Sequence, residues 1–262
     1  KGISYDHRDN RTQLSYYLEH NLLLEHWTVS AGVRAVMNTA AGNTMRYYPG
    51  IDIAWRPNTT WKLFTSYNKG FRAPTFTDLY YKSPTLNGNQ GLGMEEQHSV
   101  QIGTTLRHRW LTMTARAFWH RGSHMIDWVM FTPDDIFHST AFNLDNYGAQ
   151  LNATARFNHD VQLSVGYTWM HQKRHDDVEI FKSNYALEYL RHKLTARLSH
   201  PIVSHLSAMW SLRVCDRNGA YVAYPDNVLT AYRPYAVVDA KVQWQATHYS
   251  VWISAQNITG NT

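Results

Sequence analysis

The stretch Trp61-Lys62-Leu63-Phe64-Thr65-Ser66 alternates, then runs into Tyr67-Asn68-Lys69-Gly70-Phe71-Arg72-Ala73-Pro74-Thr75-Phe76-Thr77-Asp78-Leu79-Tyr80-Tyr81. Successive side chains on a strand point to opposite faces, so a period of two is a β signature. Gly70 and Pro74 break that period: glycine has no side chain to pack and proline has no N–H for a ladder. The stretch reads as a strand entering a long, aromatic-rich loop. The remaining sequence repeats the same strand and connection pattern, and the faces of those strands decide the fold.

Trp27, Val29, Ala31, Val33 and Ala35 alternate with Thr28, Ser30, Gly32 and Arg34. Leu111, Met113, Ala115, Ala117 and Trp119 do so against Thr112, Thr114, Arg116, Phe118 and His120. The same rhythm recurs around 150–157, 161–169, 206–214, 236–244 and 249–256. It predicts about twelve strands, at 12–20, 27–37, 47–56, 61–69, 97–107, 110–130, 136–157, 161–173, 187–199, 205–216, 233–246 and 248–257. Connections alternate between short (Asn21–His26, Pro57–Thr59, His108–Arg109, Asn158–Asp160, Pro201–Ser204, Thr247) and long (about 38–46, 70–96, 131–135, 174–186, 217–232). Short turns at one end and long loops at the other are the layout of an all-β, antiparallel up-and-down transmembrane barrel.

The composition of the two faces agrees with that layout. Of 262 residues, 17% are charged and 14% aromatic, with 17 tyrosines and 10 tryptophans. Trp27, Trp55, Trp61, Trp110, Trp119, Trp169 and Trp244 fall near strand ends, where an amphipathic ring suits the rim of an apolar band. The opposite face carries single arginines, Arg34, Arg116, Arg156, Arg197 and Arg213, among Ser, Thr, Gln and Gly; these fit a hydrated lumen and not hydrocarbon. Mean hydropathy is −0.47, so a soluble sugar-binding β-protein stays open as an alternative. No run approaches the roughly 18 apolar residues of a membrane helix. The net charge of +5 comes from scattered Lys and Arg, which is no nucleic-acid footprint. The lone Cys215 excludes an internal disulfide. Lys1–His7 contain neither an initiator Met nor a signal core, so the chain is expected to begin inside a longer protein.

Gly70-Phe71-Arg72-Ala73-Pro74 followed by Asp78-Leu79-Tyr80 resembles a segment of the TonB-dependent outer-membrane receptors. Members show Phe-Arg-Ala-Pro and a Leu-Tyr pair between a strand and a long outer loop. Their following Asn-x-x-Leu-x-Pro-Glu is partly kept as Asn89-Gln90-Gly91-Leu92-Gly93-Met94-Glu95, with Met94 at the proline position. Val251–Asn257 with Ile258 is similar to the penultimate strand, though the usual final aromatic is missing. The resemblance implies twelve strands of a barrel of about twenty-two in the bacterial outer membrane, with residues 1–262 as one partial domain and no plug. It implies an active importer, not an enzyme, for a scarce large solute. Energy would come from the inner-membrane TonB complex through a plug domain, and membrane lipid and an outer-surface lipoprotein would be further partners. Tyr67–Gly103 is most similar to cobalamin transporters; a siderophore or haem receptor and a passive porin-like barrel remain alternatives.

The expected site follows from that placement. Tyr80, Tyr81, Trp128, Phe131, Tyr221 and Tyr224 are candidate ligand-facing aromatics, with girdle or loop packing as the alternative. Arg72, Arg34, Arg116, Arg156 and Arg213 are candidates for contact with the plug or for the lumen. No metal site or cofactor is expected: His171 and His175 share a strand face but lie roughly 13 Å apart by strand geometry. Asp134-Asp135, Asp176-Asp177 and Glu95-Glu96 point to opposite faces, so they are no acid–base pairs. Gly-x-Ser-x-Gly elbows, phosphate-binding glycine loops and paired cysteines are absent from the sequence, and no catalytic residue is expected.

Overall fold

A computed structural model describes residues 9–39, 42–176, 178–223, 225 and 228–261. Tyr224, Asp177 and Lys1–His7 lie outside them. The wall begins with β1 (Gln13–Leu23), β2 (Trp27–Asn38), β3 (Met45–Trp55) and β4 (Trp61–Arg72). A short helix, α1 (Phe76–Tyr80), and the two-residue β5 (Leu86–Asn87) follow. The wall resumes with β6 (Glu95–Arg107), β7 (Leu111–Met130), β8 (Phe137–Arg156) and β9 (Gln162–Arg174). After β10 (Lys182–Ser183) come β11 (Leu190–Val203) and β12 (Leu206–Arg217), then the hairpin β13 (Ala220–Ala223) and β14 (Val228–Ala231). The last strands are β15 (Tyr235–Gln245) and β16 (Ser250–Ala255).

Twelve strands hydrogen-bond in chain order from β1 to β16, each antiparallel to the next, which is the up-and-down pattern the alternation predicts. β10 and β5 attach to β7 and β8, and β13 and β14 form a separate pair. Among the described residues β1 and β16 do not pair with each other, so the sheet is open at both. Several boundaries differ from expectation, among them the end of β1, which runs to Leu23 into the turn expected at Asn21–His26. The strand expected at 187–199 runs from Leu190 to Val203, with Pro201 inside it beside a register shift that absorbs the missing N–H. The stretch 70–96 is only partly a loop, because β4 continues to Arg72 and β6 starts at Glu95.

The register sorts the two faces. One cross-strand row joins Ile102, Ala117 and Ala149, and the next joins Thr104, Ala115, Leu151 and Tyr167. The apolar members of this face are open: Leu18 is 72% exposed, Ile102 64% and Ile253 77%. So much apolar surface is costly in water and costs nothing against hydrocarbon, so this is the lipid face. The opposite face carries Arg116, whose Nε donates to Gln150 Oε1 at 2.8 Å. Thr105 and Thr114, and Thr154 and Ser164, pair their hydroxyls across strands on it. Position 103, paired with Arg116 on this face, is glycine because a Cβ there would lie 2.7 Å from the Ala115 carbonyl and 2.5 Å from the Phe64 ring.

A wall one sheet thick has no apolar interior of its own. The buried cluster lies at the loop end, where Val129, Phe142 and Leu144 pack with Met125, Phe131, Ile180, Ala186 and Leu187. β7 and β8 are both 20 residues long and carry this layer beyond the lipid-facing rows.

Candidate functional site

The candidate site is the layer that the long connections build on β7 and β8. It starts at Arg72, the end of β4. Arg72 Nε donates to Glu95 Oε2 at 2.7 Å, Nη2 engages Glu95 Oε1, and Nη1 lies 3.6 Å from Asp78 Oδ2. Glu95 is buried and also accepts from Ile126 N at 2.7 Å. Arg72 therefore joins β4, β6, β7 and the loop. This role lies outside both readings of Arg72 made from sequence.

Asp78 carries the restraint onward. Its N–H donates to Thr75 Oγ1 at 3.1 Å while its carboxylate accepts from Thr75 N at 2.9 Å, a capping box that starts α1. A five-residue helix is too short to hold itself, so these caps and the Arg72 contact fix the place of Tyr80 and Tyr81. Tyr80 Oη donates to Asp9 Oδ2 at 2.6 Å, and this bond to a carboxylate raises the phenol above its usual pKa. The Tyr81 ring meets Trp128 edge-on at 6.5 Å, and Trp128 is 8% exposed. Phe131 lies 5.9 Å from the His138 ring.

Thus, of these candidates, the structure brings Tyr81 against Trp128, while Tyr80 turns to Asp9 and Phe131 to His138. Tyr221 stands apart in the β13–β14 hairpin, its ring 5.5 Å from Tyr232, whose hydroxyl donates to Glu188 Oε2 at 2.9 Å. Burial, and then that bond to Glu188, raise the Tyr232 phenol. Tyr224 is outside the described residues. Trp128 is packed within the layer, whereas Phe131 lines an open cleft of about 460 Å³ with Lys82, Asn89, Gln90, His138 and Ser139.

The other arginines stand along the polar face. Arg34 Nη2 reaches Ser15 Oγ at 3.1 Å, and its guanidinium lies 5.4 Å from the centre of the Phe71 ring. Arg116 is held by Gln150. Arg213 lines a polar groove of about 520 Å³ with Arg197, Ser211 and Asp239. Arg156 is exposed near the short turn, its backbone N–H donating to Trp110 O at 2.7 Å. His171 packs on Tyr147 at 5.1 Å and His175 Nε2 lies 2.9 Å from Asp145 Oδ2, so the two histidines have different partners. Among the described residues no three His, Cys, Asp or Glu gather as a metal site.

Sequence reasoning missed the buried carboxylates. Asp127 is 1% exposed; its Oδ2 accepts from Ser183 Oγ and from Ala186 N at 2.9 Å, and its Oδ1 from Trp128 N at 2.7 Å. It straps the connection after β9 onto β7. Thr75-x-x-Asp78 was a readable capping signal; Asp127, inside a long strand, gave none. The assembled layer offers aromatic walls, hydrogen-bond donors and a fixed scaffold, which is binding chemistry.

The family model for the TonB dependent receptor-like β-barrel matches residues 1–258. The vitamin B12 transporter BtuB of Vibrio vulnificus is 30% identical over 119 residues, 45% of this chain and 18% of that protein. The vitamin B12 transporter BtuB of Photobacterium profundum is 26% identical over 133 residues, 46% of this chain and 19% of that protein. Among solved structures, the siderophore receptor PirA from Pseudomonas aeruginosa superposes with a TM-score of 0.74 at 15% identity, over 96% of this chain and 44% of PirA. The pyoverdine outer membrane receptor FpvA from Pseudomonas aeruginosa PAO1 gives 0.72 at 15% identity, over 96% of this chain and 38% of FpvA. At such identities the structures share a fold. The chain spans less than half the length of each of these proteins.

Proposed function

This chain belongs to the TonB-dependent receptor family of outer-membrane β-barrels, and we propose that it serves in the energised import of cobalamin. The family consists of receptors and transporters, not enzymes. The observation that carries the ligand is the 30% identity with a vitamin B12 transporter over 119 residues. The loop layer supports it: Arg72, Glu95 and Asp78 fix the start of α1, just before Tyr81, and Phe131 lines an open cleft in the same layer. Preorganised aromatics with a few donors suit a large ligand that must be held and then released. The inner-membrane TonB complex would drive release through a plug domain outside these residues, with lipid around the wall and an outer-surface lipoprotein as a further partner.

A ferric siderophore is the second reading, favoured by the siderophore receptors among the structural relatives. Titration of the full-length receptor with cyanocobalamin distinguishes the two. Saturable binding, and uptake that stops in cells lacking TonB, are the expected results. Undetectable binding at micromolar cyanocobalamin together with tight binding of a ferric siderophore would reverse the assignment.

A further inference from the structure

The cleft beside Phe131 is lined by loop residues 82–90 on one side and by β8 on the other. Its volume, about 460 Å³, is that of a small-ligand site. Lys82 is exposed and has no ion pair among the described residues, and no lining side chain is acidic. Asn89 Oδ1 already accepts from Gly91 N at 2.9 Å, which leaves the amide NH2 to donate. His138 Nε2 is held 3.0 Å from Asp135 Oδ1, a carboxylate outside the lining. Ser139 is 1% exposed, and its hydroxyl has no hydrogen-bond partner among the described residues.

A buried hydroxyl without a partner is uncommon, because leaving it unsatisfied costs about 1–3 kcal/mol. Ser139 belongs to the lining of a cleft that also holds Lys82, which has no ion pair among the described residues, and the Asn89 amide. We propose that the cleft between Lys82 and Ser139 is a subsite for an anionic oxygen group of the imported ligand. This rests on the receptor reading above and names the part of the ligand that the cleft recognises. Two ligand classes supply such oxygens: a corrinoid through its phosphodiester, and a siderophore through catecholate or carboxylate.

The test uses the full-length receptor and its Lys82→Ala, Lys82→Arg and Ser139→Ala variants, each checked for the heat-modifiable mobility of a folded barrel. Binding is measured for cyanocobalamin, for dicyanocobinamide (which lacks the phosphodiester) and for ferric enterobactin. Lys82→Ala and Ser139→Ala should each weaken the bound ligand roughly tenfold, the scale of one hydrogen bond to a charged group. Lys82→Arg, which keeps the charge, should retain most of the affinity. Loss for cyanocobalamin but not for dicyanocobinamide identifies the phosphodiester; loss for ferric enterobactin identifies catecholate oxygens. Unchanged affinity in both alanine variants overturns the subsite and leaves the receptor reading intact. A wild-type receptor that binds none of the three overturns the receptor reading and the subsite with it.

Discussion

Arg72 and Glu95 pair directly across β4 and β6, and their side chains meet through both Nε and Nη2 of the guanidinium. Glu95 is 5% exposed while the guanidinium side remains open to solvent. The pair is thus a fastener at the rim, set where the wall becomes the loop layer, and Asp78 extends it to α1.

Removing Arg72 should loosen the loop more than the wall. In Arg72→Ala, Glu95 keeps only the Ile126 N–H and stays buried, a loss of about 1–3 kcal/mol. Hydrogen exchange of amides 75–92 should accelerate roughly tenfold, while β2 and β3 stay protected. Arg72→Lys should recover part of this, since an ammonium cannot form the two-pronged contact. Equal acceleration throughout the wall would show that the fastener holds the whole sheet.

Asp127 should control the connection between β9 and β11. Asp127→Ala leaves Ser183 Oγ and the Tyr185 and Ala186 N–H groups without their acceptor, again about 1–3 kcal/mol. Limited proteolysis of the full-length receptor should then nick within 178–189, with the strands resistant. Uncut protein under conditions that cleave other loops would mean that the Val129, Phe142 and Leu187 packing suffices.

The wall was readable because lipid on one side and polar surroundings on the other impose a period of two on every strand. Ala115, Ala117 and Leu151 are found on one face as their spacing predicts, with Arg116 and Gln150 on the other. The loop layer was hidden because its order comes from contacts distant in sequence. Asp127 meets Ser183 and Ala186 more than fifty residues away, while Lys82 reaches the cleft from a connection and Ser139 from β8. The four short strands, two to four residues each, are too brief to show any period. Sequence singled out Tyr81 and Trp128 as ligand-facing or packed aromatics, and it could not separate the two roles; Trp128 lies within β7 and is packed there.

Acid should release the loop that carries Phe131. The hydrogen bond with His138 chiefly, and then those from Ile136 N and Phe131 N, hold the Asp135 carboxyl below the usual carboxylate pKa. A depressed pKa in the folded state means that this tether is fully present above the unfolded value, near about pH 4. It is lost as pH falls through the lower folded value. Amide exchange at 131–138, corrected for intrinsic rates, should therefore rise below about pH 4. Asp135→Asn should remove that dependence. A pH-independent exchange profile in the wild type would show that Asp135 does not tether the loop.

Ala117 offers the sharpest check on which face meets lipid. It pairs with Ile102 and Ala149 on the apolar side, beside an open groove of about 510 Å³ walled by Leu63, Leu151 and Tyr167. If that groove is filled by acyl chains, Ala117→Leu adds apolar surface to lipid and leaves stability unchanged or raises it by up to about 1–2 kcal/mol. If the face were packed against another sheet, the same change would overfill a core and cost about 1–3 kcal/mol. Ala117→Arg should cost about 2–4 kcal/mol in a bilayer, whereas Arg116→Ala, on the other face, loses one hydrogen bond and about 1 kcal/mol. Urea titration of the full-length receptor folded into phosphatidylcholine vesicles measures all three. A destabilised Ala117→Leu would place this face against protein and not hydrocarbon.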